Sequence, residues 1–361
     1  MNSISLCMIV KDEELVIGRC LDSVKDLVDE IIIVDTGSTD KTKEIAMMYT
    51  DNLYDFEWIN DFSAARNFSF SKASKDYILW LDADDMLLNE DKIKFKQLKE
   101  TLDNKIDMVI MKYNVTFDKN NKPSFSYNRE RLLKRTMGYL WYGQVHEAIA
   151  HYGNILYSDV AISHKKIKAT PLDRNLKIYE TMILNGKKLD PREEFYYARE
   201  LMDNSRLDEA IEKFTLFIDS PEGWIENKIS ACKNLAECFF RQNKNIDGLK
   251  SLLRSFQFDE PRAEICCDIG YYFFGLEEYS KSIFWYELAL TRNLDPTSGA
   301  FQLIDCYDYI PYMQLCVCYD KIGDKQKAYE YNEKAGLVKP YDENYLYNKN
   351  YFNNYFNDEK T

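Results

Sequence analysis

The stretch YILWLDADD at residues 77–85 constrains this chain more than any other. Five residues apolar on both faces are too few for a helix and suit a strand covered on both sides. They lead straight into Asp82, Ala83, Asp84 and Asp85. Carboxylates gathered at the end of a buried strand are costly unless positive charge meets them there. Continued alternation along the strand aims Asp82 and Asp84 to the same side. A hard divalent ion at such a place takes oxygen ligands and bridges to substrate phosphates. The plainer alternative is a solvated turn capping a helix near Asn89, but a cap needs only one carboxylate.

The same construction precedes it twice. Residues 4–10, ISLCMIV, form an apolar strand bounded by Lys11-Asp12-Glu13-Glu14, and residues 30–34, EIIIV, form another that ends at Asp35. Between them Leu15, Cys20, Leu21, Val24 and Leu27 recur at helical spacing over 15–27. Gly37 eases the turn after Asp35, and Asp40 can cap a helix beginning near Lys41. A short strand at 53–59, helices at 62–74 and 90–102, and strands at 106–117, 125–134 and 155–163 complete the pattern, which closes around residue 166 just after His164. The two strands at 106–134 alternate and carry aromatics, as an antiparallel addition to a parallel sheet would. The fold class is therefore α/β, with a mixed and mostly parallel nucleotide-binding sheet. No GxGxxG follows the first strand, which excludes the dinucleotide version.

From about residue 170 the pattern turns helical and repeats. Pro221, Pro261, Pro296 and Pro340 end successive units, 40, 35 and 44 residues apart. Ala210, Gly248, Ser282 and Ala328 stand where paired helices would cross, and polar turns such as Asp203-Asn204-Ser205 and Gly323-Asp324 separate the helices. Residues 295–312 look like an insertion. The aromatics between Phe239 and Tyr286 suit a hydrophobic seam better than a ligand cage. About four helix pairs of this kind resemble tetratricopeptide repeats. The expected boundaries are 1–166 for the α/β domain, 167–189 for a connecting helix and 190–361 for the repeats.

With 45% hydrophobic and 30% charged residues the chain is an ordinary globular sequence. Forty-seven basic against 60 acidic residues, a formal charge of -13, argue against a protein that binds nucleic acid by phosphate neutralisation. The nine cysteines are odd in number and sit mostly in apolar runs, as in a reducing compartment. Neither a signal peptide nor an 18-residue apolar run is found, so a cytoplasmic protein without a transmembrane segment is expected.

Several single residues carry chemistry. Asp35 ends its strand where a carboxylate can accept from a base N–H or a ribose hydroxyl, though a turn-former would look the same. Arg66 in DFSAARNF is placed at the start of a helix, where its charge opposes the helix dipole; a partner in the Asp82 cluster or a diphosphate explains it better. The stretch 138–147, GYLWYGQVHE, combines aromatics, glycines, a histidine and a carboxylate. Glu147 is the candidate base; His146, pointing the other way on an extended strand, is a candidate positioning group. Trp141 and Tyr142 can stack on a sugar or uracil, or pack in the core.

VKDEE (10–14), VDTGSTDKT (34–42), DFSAARNFSFSKA (61–73) and LDADD (81–85) together resemble the inverting family-2 glycosyltransferases of the GT-A fold. WYGQVHEAI (141–149) and His164 resemble the bacterial subgroup of that family with C-terminal tetratricopeptide repeats, among which are peptide and protein glycosyltransferases, including S-glycosyltransferases of bacteriocins. The resemblance implies a UDP-sugar donor, of glucose or N-acetylglucosamine type, with Ile9, Val10, Lys11, Glu13 and Asp35 around uracil and ribose. Arg66 would stand near the pyrophosphate and Asp82. Asp82, Ala83 and Asp84 would form the DxD element, with Asp84 the more direct Mn²⁺ or Mg²⁺ ligand and His164 completing the metal and diphosphate site. Imidazole suits Mn²⁺ better than Mg²⁺. The Glu-Asp pair that carries the base in many members is missing, and His146-Glu147 is its replacement. The implied acceptor is a peptide, protein or glycan precursor, with a homodimer left open. The alternative is a non-catalytic scaffold that holds a nucleotide and binds a protein partner through its repeats.

Overall fold

The computed structural model describes residues 2–117, 121, 123–167, 171–295 and 302–358. It divides into two compact units, Met1–Lys187 and Lys188–Thr361.

The first unit holds strands β1 (Ile4–Val10), β2 (Glu30–Asp35), β3 (Leu53–Asp55), β4 (Tyr77–Trp80), β5 (Asp85–Met86), β6 (Met108–Phe117), β7 (Pro123–Lys134), β8 (Trp141–Tyr142), β9 (Ala148–Ile149) and β10 (Ile155–His164). Eight of them make one sheet in the order β3-β2-β1-β4-β7-β6-β10-β5, and β8 pairs with β9 separately. Within the eight, β7 and β5 run against the other six. The antiparallel addition expected at 106–134 is therefore β7, inserted between β4 and β6. Helices α1 (Ile17–Val24), α2 (Thr42–Met47), α3 (Phe62–Ser71), α4 (Asn89–Thr101) and α5 (Arg174–Leu184) belong to the same unit.

Alternation along the strands sorts their side chains into two cores. Leu6, Met8, Ile33, Leu79 and Leu81 join Ile17, Leu21 and Phe95 on one face, while Cys7, Ile32, Ile78 and Trp80 join Phe70 and Trp141 on the other. Strands buried on both sides need no polar face, which is why β1, β2 and β4 read as continuous apolar runs. All six co-directional strands deliver their C-terminal ends to one edge, and the polar residues described below collect there.

Two local expectations change. β4 stops at Trp80, and residues 82–85 turn back, with the Asp85 amide donating to the Asp82 carbonyl at 3.0 Å. Alternation therefore does not continue through the acids. Helix α3 begins at Phe62, capped by the Asp61 side chain, so Arg66 lies in its second turn and not at its start. The dipole argument has little force that far in, because the effect fades beyond the first turn.

The second unit pairs α6 (Pro191–Asp203) with α7 (Leu207–Asp219), α8 (Ile225–Arg241) with α9 (Asn245–Arg254), α10 (Ala263–Gly275) with α11 (Tyr279–Leu290), and α12 (Tyr309–Lys321) with α13 (Lys325–Val338); α14 (Glu343–Asp358) follows. Each pair is joined by three residues whose middle member is left-handed: Ser205, Asn243, Glu277 and Gly323. The recurrence of one turn at one place is the backbone signature of a repeat. Ala210, Ser282 and Ala328 are fully buried at the crossings. At Gly248 a Cβ would come within 2.3 Å of the Phe240 ring, so the helices meet closely only because the side chain is missing. Pro296, and residues 296–301 of the expected insertion, lie outside the described residues.

Candidate active site

Two hairpin-like ties shape the crevice beside β1 and β2. Asp12, itself left-handed at φ +53°, accepts from the amide and hydroxyl of Thr39, and its own amide donates to Ser38 Oγ. The Glu13 amide donates to Thr42 Oγ1 at 2.7 Å. These bonds hold Lys11–Glu13 against the turn that follows Asp35. Ile9 is half-buried, Val10 is buried and Lys11 is exposed. Asp35 Oδ2 accepts from the amides of Gly37 and Ser38, while Oδ1 is buried without a hydrogen-bond partner among the described residues. An orphaned carboxylate oxygen at a strand end is an acceptor awaiting a donor.

The acids after β4 separate into three fates. Asp82 accepts from Arg66 Nη2 at 2.8 Å. Arg66 Nε donates to Glu147 Oε1 at 2.7 Å, so one guanidinium joins the turn after β4 to the segment between β8 and β9. The guanidinium also lies 5.1 Å from the Trp80 ring and 4.8 Å from that of Trp141. Burial disfavours the charge on Arg66, but Asp82 and Glu147 outweigh it and raise its pKa. Burial likewise works on Asp82, yet Arg66 and then Arg131 hold its carboxyl down to about 2.

Asp84 and Asp85 turn toward β10. In the register of β5 on β10, Asp85 faces His164, whose Nδ1 lies 3.2 Å from Asp85 Oδ1 and 3.3 Å from Asp84 Oδ1. Ligand atoms of Asp84, Asp85 and His164 all fall within 4.8 Å of one another, a group able to hold a metal ion. Burial lowers the histidine's proton affinity, but hydrogen bonds with Asp84 and Asp85 prevail and lift its pKa to about 10. Without an ion the two carboxylates favour the protonated ring, so a metal ion would have to displace that proton to bind there. The donor set of carboxylate and imidazole fits a divalent ion such as Mn²⁺, and less well Mg²⁺. Ala83, between Asp82 and Asp84, is packed in the core.

The segment carrying Glu147 is pinned from α3. Asn67 exchanges two hydrogen bonds with the Trp141 backbone, and the Phe62 amide donates to the Gln144 carbonyl at 3.0 Å. Gly143 at φ +90° and His146 at φ +50° turn the chain between them. His146 is not on an extended strand, so the alternation that set it opposite Glu147 does not apply. Trp141 is only 3% exposed, edge-on to Trp80 at 4.8 Å, and has no free face for a sugar or uracil. Of its two expected environments it takes the core. Tyr142 beside it is exposed.

Sequence reasoning placed the strand at 125–134 but passed over the charges of β7. Arg129-Glu130-Arg131 place three charges in the middle of a strand, a pattern that a buried sheet tolerates only with partners. Arg129 pairs with Glu130 at 3.1 Å, and the Trp80 ring has Arg66, Arg129 and Arg131 around it at 5.1, 4.8 and 3.7 Å. Glu130, also 3.4 Å from His151, is held down to about 2, Arg129 outweighing the effect of burial.

The first unit is thus an α/β domain whose mostly parallel sheet gathers acids, arginines and a histidine toward its C-terminal edge. Residues 5–161 match the model of glycosyl transferase family 2, and tetratricopeptide-like helices follow. It is 48% identical over 103 residues to a TPR repeat-containing protein of Synechococcus elongatus, covering 28% of this chain and 25% of that protein. It is 29% identical over 287 residues to the SPbeta prophage-derived glycosyltransferase SunS of Bacillus subtilis, covering 75% of this chain and 65% of that protein. The chain thus spans a quarter of the first relative's length and just under two thirds of the second's. The crystal structure of S. aureus TarS aligns at 13% identity over 68% of this chain and 54% of that one, with a TM-score of 0.40, too low to carry an argument. Among the described residues no helix is long and apolar enough to cross a membrane.

Proposed function

We propose that the chain is a metal-dependent inverting glycosyltransferase that moves a sugar, of glucose or N-acetylglucosamine type, from a UDP-sugar to a peptide, protein or glycan-precursor acceptor. The observation that carries the reading is the adjacency of two groups at one sheet edge. Asp84 and His164 can hold a divalent ion, and Asp82, Arg66 and Glu147 form a bridge beside them. The family match supports the reaction class, and the nine free, buried cysteines support a cytoplasmic setting.

In this reading Lys11–Glu13 and Asp35 receive uracil and ribose, the orphaned Asp35 Oδ1 taking a donor from the nucleoside. A bound Mn²⁺ or Mg²⁺ at Asp84 and His164 supplies positive charge for the diphosphate leaving group. Glu147 takes the acceptor's proton as the new glycosidic bond forms on the opposite face of the sugar. Arg66, already met by two carboxylates, serves as the group that fixes Glu147 and Asp82 in relation to one another. Its role at the diphosphate is secondary. Asp82 positions; Asp84 ligates. A cysteine acceptor would need less from Glu147, since a thiol ionises in part near neutrality. Residues 1–166 would contain the whole donor site, leaving the helical unit to engage the acceptor.

The test is a titration with UDP, GDP, CDP and TDP, each with and without Mn²⁺, read as a thermal shift, followed by UDP release from the stabilising donor with acceptor peptides. The reading expects UDP to stabilise most, and only with metal. Tighter binding of GDP would overturn the uracil assignment. Stabilisation by UDP with no release in any acceptor mixture would favour the scaffold.

A further inference from the structure

Arg131 and Asp85 are both wholly buried and paired at 3.0 Å. Such a pair gains little stability, because an apolar substitute of the same size commonly does as well. Arg131 is moreover poorly served: its Nε and Nη2 are buried without hydrogen-bond partners among the described residues, and its other contacts include the Trp80 carbonyl at 3.1 Å and the rings of Trp80 and Tyr113 at 3.7 and 4.4 Å. A charge kept at that cost points to a task other than holding the sheet together.

Asp85 shows the task. Its Oδ2 accepts from Arg131 and from the Asp82 amide at 3.1 Å, which fixes the turn that carries Asp82 and Asp84. Its Oδ1 accepts from the Tyr113 hydroxyl at 2.9 Å and lies 3.2 Å from His164 Nδ1. The Tyr113 oxygen is in turn 2.9 Å from the same Nδ1. Both oxygens of Asp85 are therefore taken, whereas Asp84 beside it keeps part of its side chain in water. Tyr113, Arg131 and His164 come from the adjacent strands β6, β7 and β10, where the sheet register holds them rigidly, with Tyr113 paired to Ile162 two residues before His164.

We propose that Arg131, Asp85 and Tyr113 form a buried brace that sets the His164 ring and the Asp82–Asp84 turn for a divalent cation, with Asp85 a positioning residue and not a ligand. The inference rests on the proposal that Asp84 and His164 hold the metal. Groups that orient a ligating histidine or carboxylate are worth about 10–100-fold in metal affinity. Tyr113→Phe keeps the ring against Arg131 and deletes the oxygen shared by Asp85 and His164. Arg131→Lys keeps a charge but loses the planar guanidinium that lies against the Trp80 and Tyr113 rings and from which Nη1 alone donates to both the Trp80 carbonyl and Asp85.

The experiment is Mn²⁺ titration of the full chain without nucleotide, with free ion read by electron paramagnetic resonance. Tyr77→Phe serves as the control, since its hydroxyl donates to the Ile106 carbonyl at the start of β4, far along the sheet from the acids. The expected result is a dissociation constant raised about ten-fold in Tyr113→Phe and Arg131→Lys and unchanged in Tyr77→Phe. Tyr113→Phe at the wild-type affinity overturns the brace while leaving the metal site standing. Equal weakening in Tyr77→Phe overturns it too, as mere loosening of the sheet. If the wild-type chain binds no Mn²⁺, with or without UDP, the metal reading and the brace fall together. Should Arg131→Lys fail to fold, Tyr113→Phe decides alone.

Discussion

Removing Arg66 tests the centre of the site. Arg66→Met keeps the apolar stem and deletes hydrogen bonds of 2.7 and 2.8 Å to Glu147 and Asp82, leaving two carboxylates with no cation between them. Truncating one partner of a buried, hydrogen-bonded ion pair costs about 3–5 kcal/mol, chiefly because the stranded charges remain. Part of that cost is pH-dependent, and its sign follows from Asp82. The carboxyl is lowered from 3.8 to about 2, which corresponds to about 2 kcal/mol of stability. With 34% of the side chain exposed, solvent screening cuts this to about 1 kcal/mol. A depressed carboxyl contributes fully above its unfolded pKa and loses the contribution as pH falls toward 2. The variant's deficit should therefore be widest near pH 7 and narrower by pH 3.5. Urea unfolding reports it, with Trp224 and Trp285 replaced by Phe so that the fluorescence comes from the first unit. Adding Glu147→Gln should recover about 1–3 kcal/mol of the loss, the coupling expected between groups in contact. A deficit below about 1 kcal/mol at pH 7, or one that does not change with pH, would refute the bridge as described.

Glu147→Gln keeps the shape and a hydrogen-bond acceptor for Arg66 but not the proton-accepting charge. Transfer to a hydroxyl should fall about 10²–10⁴-fold with donor affinity nearly unchanged, measured by single-turnover glycosylation. A near wild-type rate would remove Glu147 as the base. With a thiol acceptor the loss should shrink as pH rises through the thiol's own ionisation. Asp84→Ala should abolish turnover and most of the Mn²⁺ dependence of UDP binding by calorimetry, with the fold retained. Undiminished metal dependence would return the ligand role to Asp82.

Much of this protein is legible in its sequence because strand and helix periods are local. The runs ISLCMIV, EIIIV and YILW are apolar at successive positions, and only a sheet covered on both faces accommodates that. The helical unit was equally open to reading: a small residue at each crossing is a steric requirement, as Gly248 against Phe240 shows. The four stretches that carry the family resemblance lie within 85 residues and contain Asp35, Arg66, Asp82 and Asp84 by themselves.

Which acid does what was decided by tertiary structure. Asp82, Asp84 and Asp85 are neighbours in the chain, and their periodicity alone would pair the first two. Once β4 ends at Trp80 each carboxylate meets a different partner in space: Arg66 from α3 for Asp82, His164 from β10 for Asp84, Arg131 from β7 for Asp85. Those partners are 16, 80 and 46 residues away, and Glu147 lies 81 residues from Arg66. Distances of that kind are set by strand order and register, to which a hydrophobic period is blind. The charged triplet Arg129-Glu130-Arg131 did signal something in β7, since buried charge demands a partner, but the sequence could not say which. Tyr113 gave no signal at all. As a tyrosine in a buried strand it is indistinguishable from Tyr127 opposite until the sheet places one of them beside His164.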